Sequence, residues 1–362
     1  ATHQEYDGVG GDDRYSVGDG AIELRFHGAH VTGTIISSGF DVLAKGMAPQ
    51  AKAIGHDWND DIAEATAAAA NGMLISNHSY GIPARNSQEE PSLPAYYFGA
   101  YIGGSREWDN VMYNASYYLM VISAGNDGND DTANLDPLDG NSKFDKLNND
   151  KTAKNNLVVV NGRDAVINTD GQLVSVDRSG SSSEGPTDDL RRKPDIMGNG
   201  SGVYSTYETA DDAYNSISGT SMAAPNVAGS LLLLQQHYKE TNGRFMKAAS
   251  LKGLALHTAD DVDILGPDPH VGWGLLNTKV AAEVITENGF GTYISEEVLS
   301  NGASYSITVK SDGISPLLAS ISWTDKPGVV NTGMVNDAKA VLVNDLDVKI
   351  TQAAETYSPW RL

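Results

Sequence analysis

The residue with the clearest chemistry is Ser221, in the string Ser218-Gly219-Thr220-Ser221-Met222-Ala223-Ala224-Pro225. Small residues fill the first half of 218–236 and the apolar run Leu231-Leu232-Leu233-Leu234 opens the second, a pattern that predicts a buried helix, apolar on all sides, at the centre of a domain. With Thr220 as N-cap, Ser221 falls in the first turn, where backbone N–H groups lack intrahelical acceptors and the helix dipole favours negative charge. A hydroxyl there is placed for nucleophilic attack. Gly219, Ala223, Ala224, Ala228 and Gly229 remove bulk, so that a substrate and a neighbouring strand can come close. Pro225 removes one early backbone bond of the helix. Read by residue type alone, the stretch also fits a packing helix with an ordinary serine, so the other polar groups matter. His27 and His30 open a second small-residue helix, and Asn126 stands in Ala124-Gly125-Asn126-Asp127-Gly128, a turn directly after an apolar strand.

Positioning such groups requires a rigid frame, and the chain supplies its periods. Short apolar runs at 73–77, 117–123 and 157–160 read as buried strands of a parallel sheet; 60–72 and 247–256 read as helices. Strand alternating with helix predicts an α/β fold, a doubly wound mainly parallel sheet with helices on both faces. Such folds put their sites at the carboxyl ends of the strands, where Ser79-Tyr80-Gly81 and Gly125-Asn126 fall. Residues 1–26 read as loop, 82–113 as an insertion carrying surface loops, and 127–156 as an acidic, asparagine-rich loop. From about residue 293 the helical period disappears. Strands are expected at 304–309, 318–323, 340–343 and 347–351, together a small β-sandwich or jelly-roll module.

Gly219-Thr220-Ser221-Met222-Ala223-Ala224-Pro225 followed by Val227-Ala228-Gly229 resembles the nucleophile motif of the subtilisin-like serine proteases, the subtilases. His27-Gly28-Ala29-His30-Val31-Thr32-Gly33-Thr34 resembles their histidine motif, with Ala29 and Thr32 as departures. Ala124-Gly125-Asn126 resembles their oxyanion motif, and Ser79-Tyr80-Gly81 the segment whose backbone pairs with substrate. Gly185-Pro186-Thr187, Lys193-Pro194-Asp195-Ile196 and Gly272-Trp273-Gly274-Leu275-Leu276-Asn277 match further family segments in the family's order, although Gly198-Asn199-Gly200 replaces the usual Ala-Pro-Gly. The resemblance spans roughly residues 1 to 285. It implies a serine endopeptidase in which Ser221 is the nucleophile, His27 the base and Asn126 an oxyanion donor, with His30 a packing residue. Ser79, Tyr80, Gly81 and Gly125 are implied to bind substrate. The small residues at 79–81 and 123–125 imply a pocket open to a large apolar or aromatic side chain. The implied domains are 1–288, catalytic, and 289–362, the β-sandwich module.

Composition narrows the class further. The 362 residues include 47 acidic and 25 basic ones, a formal net charge of −22, so there is no basic face for nucleic acid. The absence of cysteine excludes a disulfide scaffold, a thiolate nucleophile and a cysteine-based zinc site. No apolar run has transmembrane length. The expected partners are polypeptide substrates and a propeptide, and the expected location is extracellular. The chemistry calls for no cofactor, but structural calcium fits the acidic loop and Asp337, Asp345 and Asp347; solvated loops and edge-strand charges fit the same residues.

One part of the constellation is missing. A Ser-His pair needs a carboxylate to orient the imidazole, and in this family an aspartate ends an apolar strand ahead of the histidine motif. Asp7 in Tyr6-Asp7-Gly8-Val9 imitates it, but the polar Thr2-His3-Gln4-Glu5 before it cannot be a buried strand. Thr2 to Tyr6 instead resembles the segment that follows the aspartate. The aspartate is therefore expected just upstream of residue 1, in a chain that looks cut at both ends. Two rival readings are a catalytically inactive subtilase-fold extracellular binding module and a nucleotide-binding α/β protein; the second lacks a glycine-rich phosphate loop after its first strand.

Overall fold

The computed structural model describes residues 2–7, 13–23 and 25–360. Four parallel strands, β1 (Ile75–His78), β2 (Leu119–Ser123), β3 (Leu157–Gly162) and β4 (Ile196–Asn199), lie side by side in that order. Their register is carried by pairs such as Asn77 with Val121, Ile122 with Val158 and Val160 with Met197. Every residue of β2 and β3 is buried, which is why both read as unbroken apolar runs.

Helices α1 (Phe26–Ile36), α2 (Asp61–Ala70), α3 (Gly103–Asn114), α4 (Thr220–Asn242), α5 (Ala248–His257) and α6 (Thr278–Thr286) surround the sheet. Alternating side chains divide the core. Leu119, Val121, Leu157, Val159 and Ile196 pack with α4, α5 and α6. Met120, Ile122, Val158, Val160 and Met197 pack on the other face with Ala65 of α2 and with Trp108, Val111 and Met112 of α3. The expected mixed α/β architecture with a parallel sheet is present.

Three local expectations change. Gly219, not Thr220, is the N-cap of α4; its φ of 156° with ψ of 167° suits glycine, and Thr220 begins the helix. Helix α4 is not buried on all sides, because it lies on one face of the sheet, leaving Leu233 38% exposed and Gln236, Lys239 and Glu240 in solvent. Within the stretch read as loop, Tyr15–Val17 forms a short strand parallel to Ala53–Gly55, a pairing that no local period could reveal. After Asn199 the chain turns into the hairpin of β5 (Val203–Thr206) and β6 (Tyr214–Ile217), which packs on α1. A Cβ on Gly33 of α1 would overlap Thr206 Oγ1, so the close contact requires glycine there.

Beyond α6 the four expected strands do not assemble two packed sheets. Residues 293–349 contain no strand, and the regular structure there is one antiparallel hairpin, β7 (Ile350–Gln352) with β8 (Glu355–Tyr357). Tyr305, Ile307 and Val309 alternate as a half-buried strand would, but each stays about half exposed because no second sheet covers them. What does dock is the stretch around Asp325. Its carboxylate accepts from Lys154 Nζ at 2.6 Å and from the Val343 and Asn344 N–H groups at 2.9 Å each, while Asn155 bonds its backbone on both sides. Of the Tyr6-Asp7-Gly8-Val9 stretch, Gly8 and Val9 lie outside the described residues, as do Ala1, Arg361 and Leu362. Among the described residues no helix is long and apolar enough to cross a membrane.

Candidate active site

Ser221 is half-buried in the first turn of α4, beside the segment that leaves β1. Its Oγ donates to the Ser79 carbonyl at 3.1 Å, and Ser79 Oγ donates to the Ser221 carbonyl at 2.8 Å. The second bond exists because of Pro225: the acceptor four residues before it is Ser221 O, and proline has no N–H to fill it. The proline thus leaves a carbonyl free, and the substrate segment takes it.

Asn126 follows β2 at its carboxyl end. Its Oδ1 accepts from Thr220 N at 3.0 Å and from Thr220 Oγ1 at 3.1 Å, and Thr220 Oγ1 itself accepts from Gly125 N at 3.3 Å. With both contacts on the oxygen, Asn126 Nδ2 is left pointing outward without an acceptor among the described residues. The Ser221 N–H, one of the orphan donors of a helix start, is likewise open. A Cβ built on Gly219 would lie 3.5 Å from Asn126 Oδ1, 3.7 Å from Asn126 Nδ2 and 3.8 Å from Ser221 N, so the asparagine amide stands beside the start of the serine helix. Sequence reasoning missed Thr220 as the residue that orients the asparagine; its position beside the nucleophile was the available signal.

His27 sits in the first turn of α1, whose far end packs on α4 through Gly229; a Cβ there would lie 3.6 Å from Ile35 Cα and 2.6 Å from Met47 Cβ in the segment after α1. Burial alone lowers the pKa of its imidazole, which favours the neutral form that can act as a base. No hydrogen bond joins His27 to Ser221, and among the described residues none joins it to a carboxylate. Asp7 is exposed and pairs through its backbone with Asp13. His30 is fully buried, with Nε2 held by the Val203 carbonyl at 2.9 Å and the Asn215 carbonyl at 3.2 Å.

The four residues expected to bind substrate divide. Ser79 touches Ser221, Gly125 N donates to Thr220 Oγ1 beside it, and Gly81 lies against Lys151. The Tyr80 side chain turns away: its hydroxyl donates to Asp61 Oδ2 at 2.7 Å and accepts from His78 Nδ1 at 2.6 Å. His78 is buried and its pKa is pushed down to about 3, so it is neutral, donates to Tyr80 and accepts from Ser76 Oγ at 2.6 Å. Only the Tyr80 backbone remains for a substrate. The buried Lys151 runs up to this segment; a Cβ on Gly81 would overlap Lys151 Nζ.

The acidic loop is largely used within the protein. Asp130 pairs with Arg85 at 2.5 Å, and Asp131 pairs with Lys143 and, at 3.2 Å, Lys146. Asp345 and Asp347 are exposed. Among the described residues two groups bring metal-type ligand atoms within 4.8 Å of one another, Asp19, His56 and Glu64, and Asp263, Asp268 and His270.

A helix-borne serine, paired donors at its N-terminus and a histidine helix packed against it agree with the comparison to known proteins. The peptidase S8 model, the subtilase family, matches residues 10–274. The chain belongs to the subtilase family. Its matched region is a peptidase domain of the serine endopeptidase type. Subtilisin DY of Bacillus licheniformis is 25% identical over 292 residues, 78% of this chain and 87% of that protein. The PI-type proteinase of Lactococcus lactis subsp. cremoris is 28% identical over 196 residues, 48% of this chain. That match takes in only 10% of the lactococcal protein's length. The fold resembles the S218A mutant of the protease domain of PatA, with a TM-score of 0.54 at 19% identity, covering 78% of this chain and 90% of that one.

Proposed function

We propose that this subtilase is a secreted serine endopeptidase that hydrolyses peptide bonds of proteins. Ser221 Oγ attacks the scissile carbonyl carbon, His27 takes the hydroxyl proton and returns it to the leaving amine, and water then releases the acyl group by the same steps. Asn126 Nδ2 and the Ser221 N–H stabilise the oxyanion of each tetrahedral intermediate. The observation that carries this reading is the clamp of Thr220 on the Asn126 oxygen at the first turn of the serine helix, which leaves Nδ2 as the free end of the amide. Ser79 to Gly81 and Gly125 line the substrate path, with Tyr80 contributing backbone alone. The family resemblance supports secretion and a propeptide. It also supports a β-module within 289–362, to which the hairpin β7–β8 would belong. A structural calcium belongs to the same reading and would take oxygen ligands, which the Asp263, Asp268 and His270 cluster, with its imidazole bonded to Asp263, does not supply as a set.

The rival reading is an inactive subtilase-fold binding module. One experiment separates the two. The protein is treated with a fluorophosphonate, with and without EDTA, and its intact mass and peptide map are measured. A single adduct on Ser221 is the expected result; a folded sample that takes none overturns the peptidase reading and leaves the binding module. Labelling and melting temperature both indifferent to EDTA would remove the structural cation.

A further inference from the structure

Four lysines of the catalytic region are buried, and three of them are paired. Lys146 lies 3.4 Å from Glu184, Lys154 2.6 Å from Asp325 and Lys193 2.5 Å from Asp195. Lys151, 3% exposed, forms no ion pair among the described residues; the one group bonded to its Nζ is Asn148 Oδ1, at 3.5 Å. A buried ammonium without a partner is costly unless something arrives to match it.

Its position says what would arrive. The Lys151 tail lies between Gly81 and Gly125: Nζ fills the space of a Cβ on Gly81, and Cε lies 3.5 Å from one on Gly125. Gly125 immediately precedes Asn126, and Gly81 is two residues, at most about 7 Å of chain, from the Ser79 carbonyl that the Ser221 hydroxyl touches. We propose that the side chain of the residue whose carbonyl Ser221 attacks enters between these two segments, and that Lys151 forms the floor of this P1 pocket and selects an acidic P1 residue, glutamate or aspartate, in place of a large apolar one. The proposal rests on the peptidase reading above.

Of the two neighbouring carboxylates, Asp150 is turned away, with Oδ1 toward α3, 2.6 Å from where a Cβ on Gly104 would stand; Asp127 Oδ1 accepts from the Ala84 N–H at 3.2 Å, while its Oδ2 lies 3.5 Å from a Cβ on Gly125, beside the Lys151 tail. Burial lowers the Lys151 pKa while the fields of Asp150 and then Asp127 support its charge from a distance. Beyond its long bond to Asn148, Lys151 Nζ keeps donors free, and no carboxylate of the described residues forms an ion pair with it.

The test compares wild type, Lys151→Met and Lys151→Arg on succinyl-Ala-Ala-Pro-Xaa 4-nitroanilides with Xaa glutamate, glutamine or phenylalanine. Wild type should prefer glutamate to its neutral isostere glutamine by about tenfold or more in kcat/KM. Lys151→Arg should keep that preference, and Lys151→Met should lose it and gain on phenylalanine. Equal rates on glutamate and glutamine in wild type, or an unchanged ratio in Lys151→Met, overturn the proposal while leaving the peptidase reading intact whenever Ser221 still takes the fluorophosphonate. If Ser221 takes none, binding of uncleaved hexapeptides with central glutamate or glutamine to Ser221→Ala decides by calorimetry. A tenfold difference that Lys151→Met removes supports the pocket, and equal or undetectable binding overturns it.

Discussion

Asn126 illustrates how much of this site is held by contacts one residue away from the chemistry. Thr220 occupies the asparagine oxygen with two donors, which fixes the amide so that only Nδ2 can face a developing oxyanion. Because an oxyanion forms in the transition state and not in the bound substrate, the loss should fall on turnover. Asn126→Ala is expected to lower kcat by about a hundred- to thousandfold with little change in KM. Steady-state kinetics on a peptide anilide checks this, and an unchanged kcat would remove the asparagine from the oxyanion site. Pro225 works by omission, since its missing N–H is what lets Ser79 lock onto Ser221 O.

At the scale of elements, the strand β4 is tied to β3 by a buried charge cluster. Asp195 Oδ2 accepts from the Val158 N–H at 2.7 Å and from Lys193 Nζ at 2.5 Å, and Asp195 Oδ1 lies 3.2 Å from Lys252 Nζ. Burial pushes the Lys193 pKa down to about 7, and the Asp195 carboxylate is what keeps its charge affordable in the interior. Removing only the anion leaves that charge uncompensated. Asp195→Ala should therefore destabilise the fold by about 3–5 kcal/mol, whereas replacing Lys193 and Asp195 together by apolar residues should cost far less. Urea unfolding of the three proteins tests the contrast; equal losses in the single and double variants would mean that packing, not charge, holds β4 to β3.

Over the whole molecule, a net charge of −22 sets acidic groups against one another, and at one place they meet inside. Asp145 and Asp188 are buried and both turn toward Gly99, where φ is +69° and a Cβ would lie 2.6 Å from Asp145 Oδ1. Burial raises Asp145 to about 7; burial and then the neighbouring Asp145 raise Asp188 to about 8. Both folded-state values exceed the ordinary aspartate value of about 3.9. The folded protein thus keeps protons that the unfolded chain has released. The stability these groups supply is complete below about pH 4 and is lost as pH rises toward about 8. Asp188→Asn should accordingly gain on wild type as pH increases, by about 1.4 kcal/mol for each pH unit across that window. Melting curves in EDTA at about pH 5 and about pH 8.5 read the difference; a constant offset between the two proteins would show that the acid pair does not titrate there.

Residue types and their order were enough to assign the serine helix, the histidine helix, the asparagine turn and the parallel α/β sheet. Those signals are local: apolar runs of strand length, small residues at the start of α4, and polar groups at fixed positions beside them. The N-cap at Gly219, the clamp of Thr220 on Asn126 and the turning-away of Tyr80 depend on groups 94 or 19 residues apart in the chain. The alternating pattern after residue 293 shows the limit of a local period, since strands need a partner sheet before their apolar faces can be covered. Lys151 shows it most sharply. In sequence it is one cation in an asparagine-rich loop, and only the approach of β1, β2 and that loop around Gly81 and Gly125 sets it on the floor of a pocket, because burial and charge pairing are properties of neighbours in space.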